Sequence, residues 1–348
     1  MNRMVQAAAV AGVTYLARRA VRARIGRSPL WPLPALATPV SGYSPRRWIP
    51  ARIVSRTEPA EGVLLLRIES PEFPGWAPGA HVDIRLPSGL IRQYSLCGDP
   101  ADSGAYTIGI RLVEDGRGGS REAHAQLAEG AGIDVRPPRN RFALEPAGRY
   151  AFVAGGIGIT PVLPMLRAAT AAGADWTLLY GGRSRATMPF LDELSAYGSR
   201  VTVVAEDESG LPDLSPLAAT DPATPVYCCG PESLVEAVRS AVPEGVRVMA
   251  ERFTPATSTT LMQPFTAELR RTGRTIEVGA AETTLAAVRR ALPNTPYSCE
   301  QGFCGTCRHR VLAGGVDHRD ELLTETERED SMLLCVSRAA GDRLVLDL

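Results

Sequence analysis

The sequence predicts a multidomain chain: an antiparallel β-barrel, then an α/β domain on a parallel sheet, then a small α+β domain. Length sets the frame, because 348 residues exceed what a single hydrophobic core usually organises. The pattern also changes twice along the chain. Closely spaced apolar runs with few helical stretches give way near residue 150 to strand–helix alternation. The linker-like Thr254-Pro-Ala-Thr-Ser-Thr-Thr260 then precedes a segment with four spaced cysteines. Boundaries follow at 48–147, 148–253 and 264–348, with 254–263 as the linker.

Residues 1–47 stand apart, with eight Arg and no acid; the first acid is Glu58. An uncharged Ala/Val-rich stretch, Met4 to Ala17, leads into Arg18, Arg19, Arg22, Arg24 and Arg27. Prolines at 29, 32, 34, 39, 45 and 50 then oppose helix and read as an extended linker. Three readings stay open: a frayed helix plus linker, a basic helix lying on an anionic membrane or partner, and a mitochondrial-type presequence. The apolar stretch is too short to span a bilayer.

In the barrel region, strands are expected at Arg52–Ser55, Val63–Ile68, His81–Leu86, Gln93–Cys97 and Tyr106–Leu112, with one helix near Glu122–Ala128. Beyond residue 150, apolar runs at Ala151–Ala154, Thr177–Tyr180, Val201–Ala205, Val226–Cys229 and Val246–Ala250 alternate with helical segments 161–172, 188–197 and 231–241. Strands apolar on both faces belong to a parallel sheet covered by helices.

Two glycine-rich turns can take phosphates. Gly155-Gly156-Ile-Gly158-Ile-Thr160-Pro161 follows the first parallel strand, with Thr160 placed as an N-cap and Pro161 at the first helical position. Pro161 stands where a dinucleotide fingerprint has its third glycine. In the barrel, Gly118, Gly119 and Ser120 open the single helix and form a second anion site. Two such sites in separate domains point to two different nucleotides. Arg92-Gln-Tyr94-Ser95 offers a planar fork, a flat ring and a hydroxyl. Cys229, Gly230 and Pro231 lie at the carboxyl end of a later strand, where open α/β sheets bind ligands.

Cys299, Cys304 and Cys307, with Cys335 twenty-eight residues on, have the C-x4-C-x2-C…C spacing of a plant-type [2Fe-2S] cluster. Gly302 and Gly305 would let this loop bend tightly and turn N–H groups toward the sulfurs. The rival readings are a four-cysteine zinc site, which usually pairs two short knuckles, and disulfides, which need an oxidising compartment. His309 and His318 would permit Rieske ligation, although four spaced cysteines make it unnecessary.

In this order the motifs resemble the phthalate dioxygenase reductase type of the ferredoxin reductase superfamily, close to vanillate demethylase reductases, over about residues 48–348. That resemblance implies an FMN-binding barrel, a nicotinamide-binding domain and a C-terminal ferredoxin of β-grasp fold. It implies that Arg92, Tyr94 and Ser95 contact the flavin, that Gly118, Gly119 and Ser120 hold its phosphate, and that the Gly155–Pro161 turn takes the pyrophosphate. Cys229 would then sit near the nicotinamide. An NAD(P)H-dependent electron-transfer reductase follows: it passes hydride electrons through FMN and the cluster, singly, to a terminal oxygenase of Rieske type. The alternative acceptor is a cytochrome P450. Competing classes are a pure ferredoxin-like carrier and a stand-alone flavin oxidase or diaphorase. FMN is favoured over FAD because Gly118–Ser120 suits a terminal phosphate. NADH is favoured over NADPH by the family likeness alone. The turn after the second parallel strand, Gly181-Gly182-Arg183-Ser184-Arg185, carries no acid for a ribose, and Arg183 or Arg185 could accept a 2′-phosphate.

Composition excludes little but is consistent with this. The 38 basic and 38 acidic residues balance, every basic one being Arg, so nothing points to nucleic acid. Seven cysteines, four of them assigned as ligands, suit a reducing interior and a cytoplasmic setting. The run from Asp320 to Asp330 holds six carboxylates against one Arg and is expected to form an acidic, partner-steering face.

Overall fold

The structure is a computed structural model and describes residues 48–116, 118–253, 263–297, 299–302, 305–320 and 322–348. The basic segment 1–47, the linker through residue 262, and Cys304 lie outside the described residues.

Strands β1 (Ile49–Ala60), β2 (Val63–Glu69), β3 (Ala80–Arg85), β4 (Ile91–Ser95), β5 (Ala105–Arg111), β6 (Gly132–Val135) and β7 (Arg139–Asn140), with helix α1 (Gly119–Gln126), form the first domain. The sheet runs β4-β3-β6-β1-β2-β5, its paired strands antiparallel, with β7 on β3. A bridge from Leu96 to Ile108 ties the end of β4 to β5 and closes the barrel. Alternate residues fill it: Leu64, Leu66 and Ile68 on β2, Val82 and Ile84 on β3, Ile108 and Ile110 on β5, each fully buried. Each such side chain contributes about 1.5–3 kcal/mol. Between two of them, buried Asp83 accepts from Arg136 at 3.1 Å and from Arg139 at 2.8 and 3.1 Å. This pins the segment after β6 to β3. Neither β6 nor β7 is among the expected strands, because four and two residues are too few to show a period.

The second domain comprises β8 (Arg149–Gly155), α2 (Ile159–Ala171), β9 (Asp175–Gly182), α3 (Leu191–Ser195), β10 (Val201–Ala205), α4 (Glu206–Ser209), β11 (Val226–Cys229), α5 (Glu232–Ala241) and β12 (Val248–Glu251). Its five strands are parallel in the order β10-β9-β8-β11-β12. Order reverses between β8 and β11, which opens a crevice at their carboxyl ends. Two local expectations are corrected. Helix α2 begins two residues early, because Gly156–Gly158 already wind as a 3-10 turn, so Gly158 is the cap and Pro161 is the third helical residue. The Thr160 hydroxyl therefore donates to the Ile157 carbonyl at 2.9 Å instead of capping. The helix expected over 188–197 shrinks to α3, because Phe190 adopts a left-handed φ of 67°.

The third domain contains β13 (Phe265–Leu269), β14 (Arg274–Val278), α6 (Thr284–Ala291), β15 (Arg308–Ala313), β16 (Val316–Asp317), α7 (Glu325–Arg328), β17 (Ser331–Leu333), β18 (Arg338–Ala339) and β19 (Arg343–Leu346). The sheet is β14-β13-β19-β15-β17, with β13 and β19 parallel and its other pairs antiparallel; α6, which buries Leu285 and Val288, completes a β-grasp. The acidic run is not a bare charged face. Asp320 is buried and accepts from the Leu322 and Leu323 amides at 3.2 and 2.8 Å. Glu327 closes a capping box with Thr324 and binds Arg308 at 2.9 Å, while Asp330 meets Arg310 at 3.3 Å. The neutralising arginines come from β15, which the run alone does not reveal.

Residues 48–348 fall in one compact unit. Arg167 of α2 donates to the Cys97 and Gly98 carbonyls at 2.9 and 2.8 Å, joining the second domain to the barrel. Arg141 donates to the Leu322 carbonyl, joining the barrel's exit to the third domain.

Candidate active site at the junction of three domains

A cavity of about 590 Å³ opens where the three domains meet, and its walls come from all of them. The barrel supplies β4 (Arg92, Gln93, Tyr94, Ser95), Gly119 and Ser120. The α/β domain supplies Gly155, Ile157, Thr160, Gly230 and Pro231, and the third domain supplies Cys299 and Gln301.

The α/β wall is possible only because its residues are small. A Cβ on Gly158 would lie 2.6 Å from the Cys229 carbonyl carbon, and one on Gly230 would lie 3.2 Å from the Gly155 Cα. The two turns at the carboxyl ends of β8 and β11 therefore touch backbone to backbone. Gly156 needs its glycine differently, through a left-handed φ of 52°. The Gly155–Pro161 turn thus puts Gly155, Ile157 and Thr160, the last in the first turn of α2, on the cavity wall, and a helix N-terminus at that place suits a pyrophosphate.

On the barrel side, Arg92 crosses directly over Gly119, where an added Cβ would meet its guanidinium carbon at 2.8 Å. Gly118 precedes α1 with a left-handed φ of 77°. The Ser120 hydroxyl is engaged with the Val113 backbone, accepting from its N–H at 3.1 Å. What faces the cavity here is accordingly the helix start and the Arg92 fork. Burial pushes the Tyr94 phenol far up, the Arg92 charge opposing and Glu122 adding, so it remains a hydrogen-bond donor.

Sequence reasoning missed Glu251. It stands on β12 opposite Cys229 and accepts from the Ser95 hydroxyl at 3.4 Å, 156 residues away in sequence. His81 Nδ1 lies 3.8 Å from the other carboxylate oxygen. Burial, with Arg139 and Arg141 nearby, holds that imidazole well below its ordinary pKa and so neutral. Only sheet register could have found this carboxylate. Cys229 itself is fully buried in the core beside α2 and does not line the cavity, whereas Gly230 and Pro231 do. Burial above all, then the nearby Glu251 charge and Cys228, push its thiol well up, so it stays protonated. Cys97 is barrel packing, with its thiol raised to about 12 by burial.

Of the four cysteines expected as ligands, the described Cys299, Cys307 and Cys335 are all buried. Contact with the Cys299 and Cys307 sulfurs, then burial, pushes the Cys335 thiol far up. Three crowded, desolvated sulfurs would lose protons together only to a cation, as iron would provide. The Gln301 amide donates to the Cys299 sulfur at 3.3 Å, and Gly302 and Gly305 have φ of 80° and 69°, as the sequence led us to expect. His309 and His318 are engaged elsewhere: the first with the Cys307 carbonyl at 3.2 Å, the second with the Arg328 carbonyl at 3.2 Å and Asp320 at 3.5 Å. The cluster loop is docked on the cavity. Cys299 packs with Ile91 and Trp48 of the barrel, and the Gln301 side chain donates to the Phe253 carbonyl at 3.2 Å.

A flavin-type barrel, a pyridine-nucleotide sheet and an iron–sulfur domain sharing one cavity define a reductase that takes in electron pairs and releases them singly. Comparison with known proteins agrees. Residues 152–240 match the oxidoreductase NAD-binding domain and residues 267–340 the 2Fe-2S iron-sulfur cluster binding domain. The chain is 42% identical over 301 residues to the phenoxybenzoate dioxygenase subunit beta of Ectopseudomonas oleovorans, covering 83% of this chain and 94% of that one. It is 36% identical over 312 residues to the phthalate dioxygenase reductase of Burkholderia cepacia, covering 85% and 96%. The solved structure of a phthalate dioxygenase reductase, described as modular for electron transfer from pyridine nucleotides to [2Fe-2S], superposes with a TM-score of 0.66 at 34% identity, covering 88% of this chain and all of that one. An intact type IV self-sufficient cytochrome P450 monooxygenase gives a TM-score of 0.70 at 39% identity, covering 93% of this chain and 45% of that larger one. The chain belongs to the phthalate dioxygenase reductase family. It is an oxidoreductase, the reductase component of an oxygenase system, with a pyridine-nucleotide-binding domain and a 2Fe-2S domain. No helix among the described residues is long and apolar enough to cross a membrane.

Proposed function

We propose that the shared cavity is where this chain converts the hydride of NADH into single electrons for a Rieske-type oxygenase. The observation that carries it is the composition of one cavity wall by wall: flavin motif, nucleotide turns, and the cluster ligand Cys299 with its neighbour Gln301. FMN bound there would accept two electrons at once and release them one at a time, chemistry that belongs to the cofactor. The chain's own residues position and insulate. Arg92, Tyr94 and Ser95 orient the isoalloxazine edge, and the amides of Gly118, Gly119 and Ser120 hold the phosphate. Gly155, Gly156, Gly158, Thr160 and Pro161 form the pyrophosphate turn, and Gly230 and Pro231 floor the nicotinamide end. Cys229 backs that floor from the core. Ser95, whose hydroxyl donates to Glu251 at 3.4 Å, would lie beside the ring, with Glu251 behind it and outside the cavity wall. Cys299, Cys304, Cys307 and Cys335 bind the cluster.

Anaerobic mixing with NADH tests this. Flavin and cluster absorbance should both fall, and added oxygenase should reoxidise them. A chain that stays oxidised would be a mere carrier, and one that turns over in air without a partner would be an oxidase. The alternative acceptor, a P450, draws on the similarity to the self-sufficient monooxygenase, and presenting each partner separately decides between the two. For residues 1–47, the eight arginines without an acid support contact with an anionic surface. A chain beginning at Arg46 should keep NADH-to-dye activity and lose co-sedimentation with anionic vesicles. Equal sedimentation of both chains would remove the membrane reading.

A further inference from the structure

We infer that Glu208 sets the preference for NADH by pairing with Arg185 and offsetting its charge, Arg185 being the side chain otherwise placed to hold the 2′-phosphate of NADPH. The inference rests on the proposed nucleotide site and extends it to a region the cavity does not reach. The turn after β8 takes the pyrophosphate, and β11 with the flavin wall lies on one side of it. The adenosine half must therefore run the other way, over the carboxyl ends of β9 and β10, with neighbouring strands about 4.8 Å apart.

Those ends present Arg183 and Arg185 after β9, and Glu206, Asp207 and Glu208 in α4 directly after β10. The sequence alone shows no acid near the ribose position; the sheet supplies three, from the next strand. The Asp207 amide donates to the Arg183 carbonyl at 3.1 Å, which fixes α4 against the end of β9. The Arg185 Nε then donates to both Glu208 carboxylate oxygens, at 3.1 and 3.0 Å. Both side chains are about half exposed, so the pair is open to an arriving nucleotide.

The chemistry selects a diol over a phosphate. Two arginines against three carboxylates leave the patch with one net negative charge, and a 2′-phosphate adds about 1.5 to 2 more. A guanidinium paired through Nε keeps its Nη donors, but the adjoining carboxylate offsets its charge and repels an arriving phosphate dianion. A free 2′-hydroxyl, by contrast, donates well to a carboxylate.

The test uses the flavin- and iron-loaded chain and two probes of the adenosine half, 5′-AMP and adenosine 2′,5′-bisphosphate, in equilibrium titrations. Wild type should bind 5′-AMP the more tightly. Glu208→Ala should tighten the bisphosphate about tenfold or more and change 5′-AMP less than threefold, and NADPH should gain in kcat/KM accordingly. Adding Arg185→Ala should return the bisphosphate to its wild-type affinity. An unchanged bisphosphate affinity in Glu208→Ala, with NADH still reducing the flavin, overturns the role of Glu208 alone. So does a wild-type preference for the bisphosphate. Failure of wild type to bind either probe or to be reduced by NADH overturns the proposed function, and this inference with it.

Discussion

Gly158→Ala isolates the seat of the nucleotide, because nothing but sterics changes. The residue has φ −62° and ψ −8°, which alanine adopts freely, so no backbone strain enters. The added methyl would lie 2.6 Å from the Cys229 carbonyl carbon and 3.0 Å from the Gly230 nitrogen. Carbon atoms settle at about 3.5–4.0 Å, so the two turns must part by about 1 Å. Overpacking of this kind costs about 1–3 kcal/mol of stability, and a 1 Å displacement of a positioning element can cost on the order of 100-fold in rate. The expected result in anaerobic stopped flow is a 10- to 100-fold slower reduction of flavin by NADH, with flavin and cluster absorbance retained. Reduction by dithionite should proceed as in wild type. Gly173→Ala, just past the far end of α2, is the control. Its φ of 70° makes alanine cost about 1–2 kcal/mol of stability, but no atom lies within 4 Å of the new methyl and the residue is outside the nucleotide turns, so NADH-driven reduction should keep its rate. If Gly158→Ala takes up hydride at the wild-type rate with the same dependence on NADH, close approach of these turns is not what positions the nucleotide.

Cys335→Ser should remove most of the cluster absorbance and cytochrome c reduction while NADH still bleaches the flavin; full iron content in that variant would refute the ligand assignment. Asp83→Asn strips the charge that Arg136 and Arg139 share in a buried site, and urea titration should show a loss of about 3–5 kcal/mol. A loss below about 1 kcal/mol would mean that the ion pair does not hold the barrel. Stability should also fall on acidification through His81. Burial lowers its pKa in the folded chain, so below the unfolded value near 6.5 the unfolded chain binds the extra proton, and stability drops by up to about 1.4 kcal/mol per pH unit. Unfolding between pH 7.5 and 5.5 should be less pH-dependent in His81→Gln, and identical slopes would show that the imidazole takes up its proton alike in the folded and unfolded chains.

What the sequence made legible is what neighbouring residues determine. Alternation in Val63–Glu69 and the apolar run Val226–Cys229 announce strands, because the pleat and the two-sided burial are written in consecutive residues. The glycines of Gly155–Gly158 and the spacing from Cys299 to Cys307 are equally local, and the described parts of both the turn and the loop they point to reach the shared cavity. Errors of one or two residues came from competing local chemistry, as when the 3-10 winding of Gly156–Gly158 moved the start of α2 and took the cap from Thr160.

What stayed hidden is what the topology brings together. Glu251 reaches Ser95 because β12 lies beside β11 and the sheet's carboxyl edge meets β4 of the barrel; no window of the sequence contains both. Glu208 reaches Arg185 because β10 and β9 are parallel neighbours whose ends are level, with Ala205 paired to Gly182. The run from Asp320 to Asp330 misled for the same reason, since its countercharges Arg308 and Arg310 sit on a strand paired to the end of the run. In each case a charge was read correctly as a residue and incompletely as an environment. Cofactor class in this chain is thus a local property, carried by glycine turns and cysteine spacing. The proposed determinants of cofactor preference depend on register, and they become arguable only when strand ends are laid side by side.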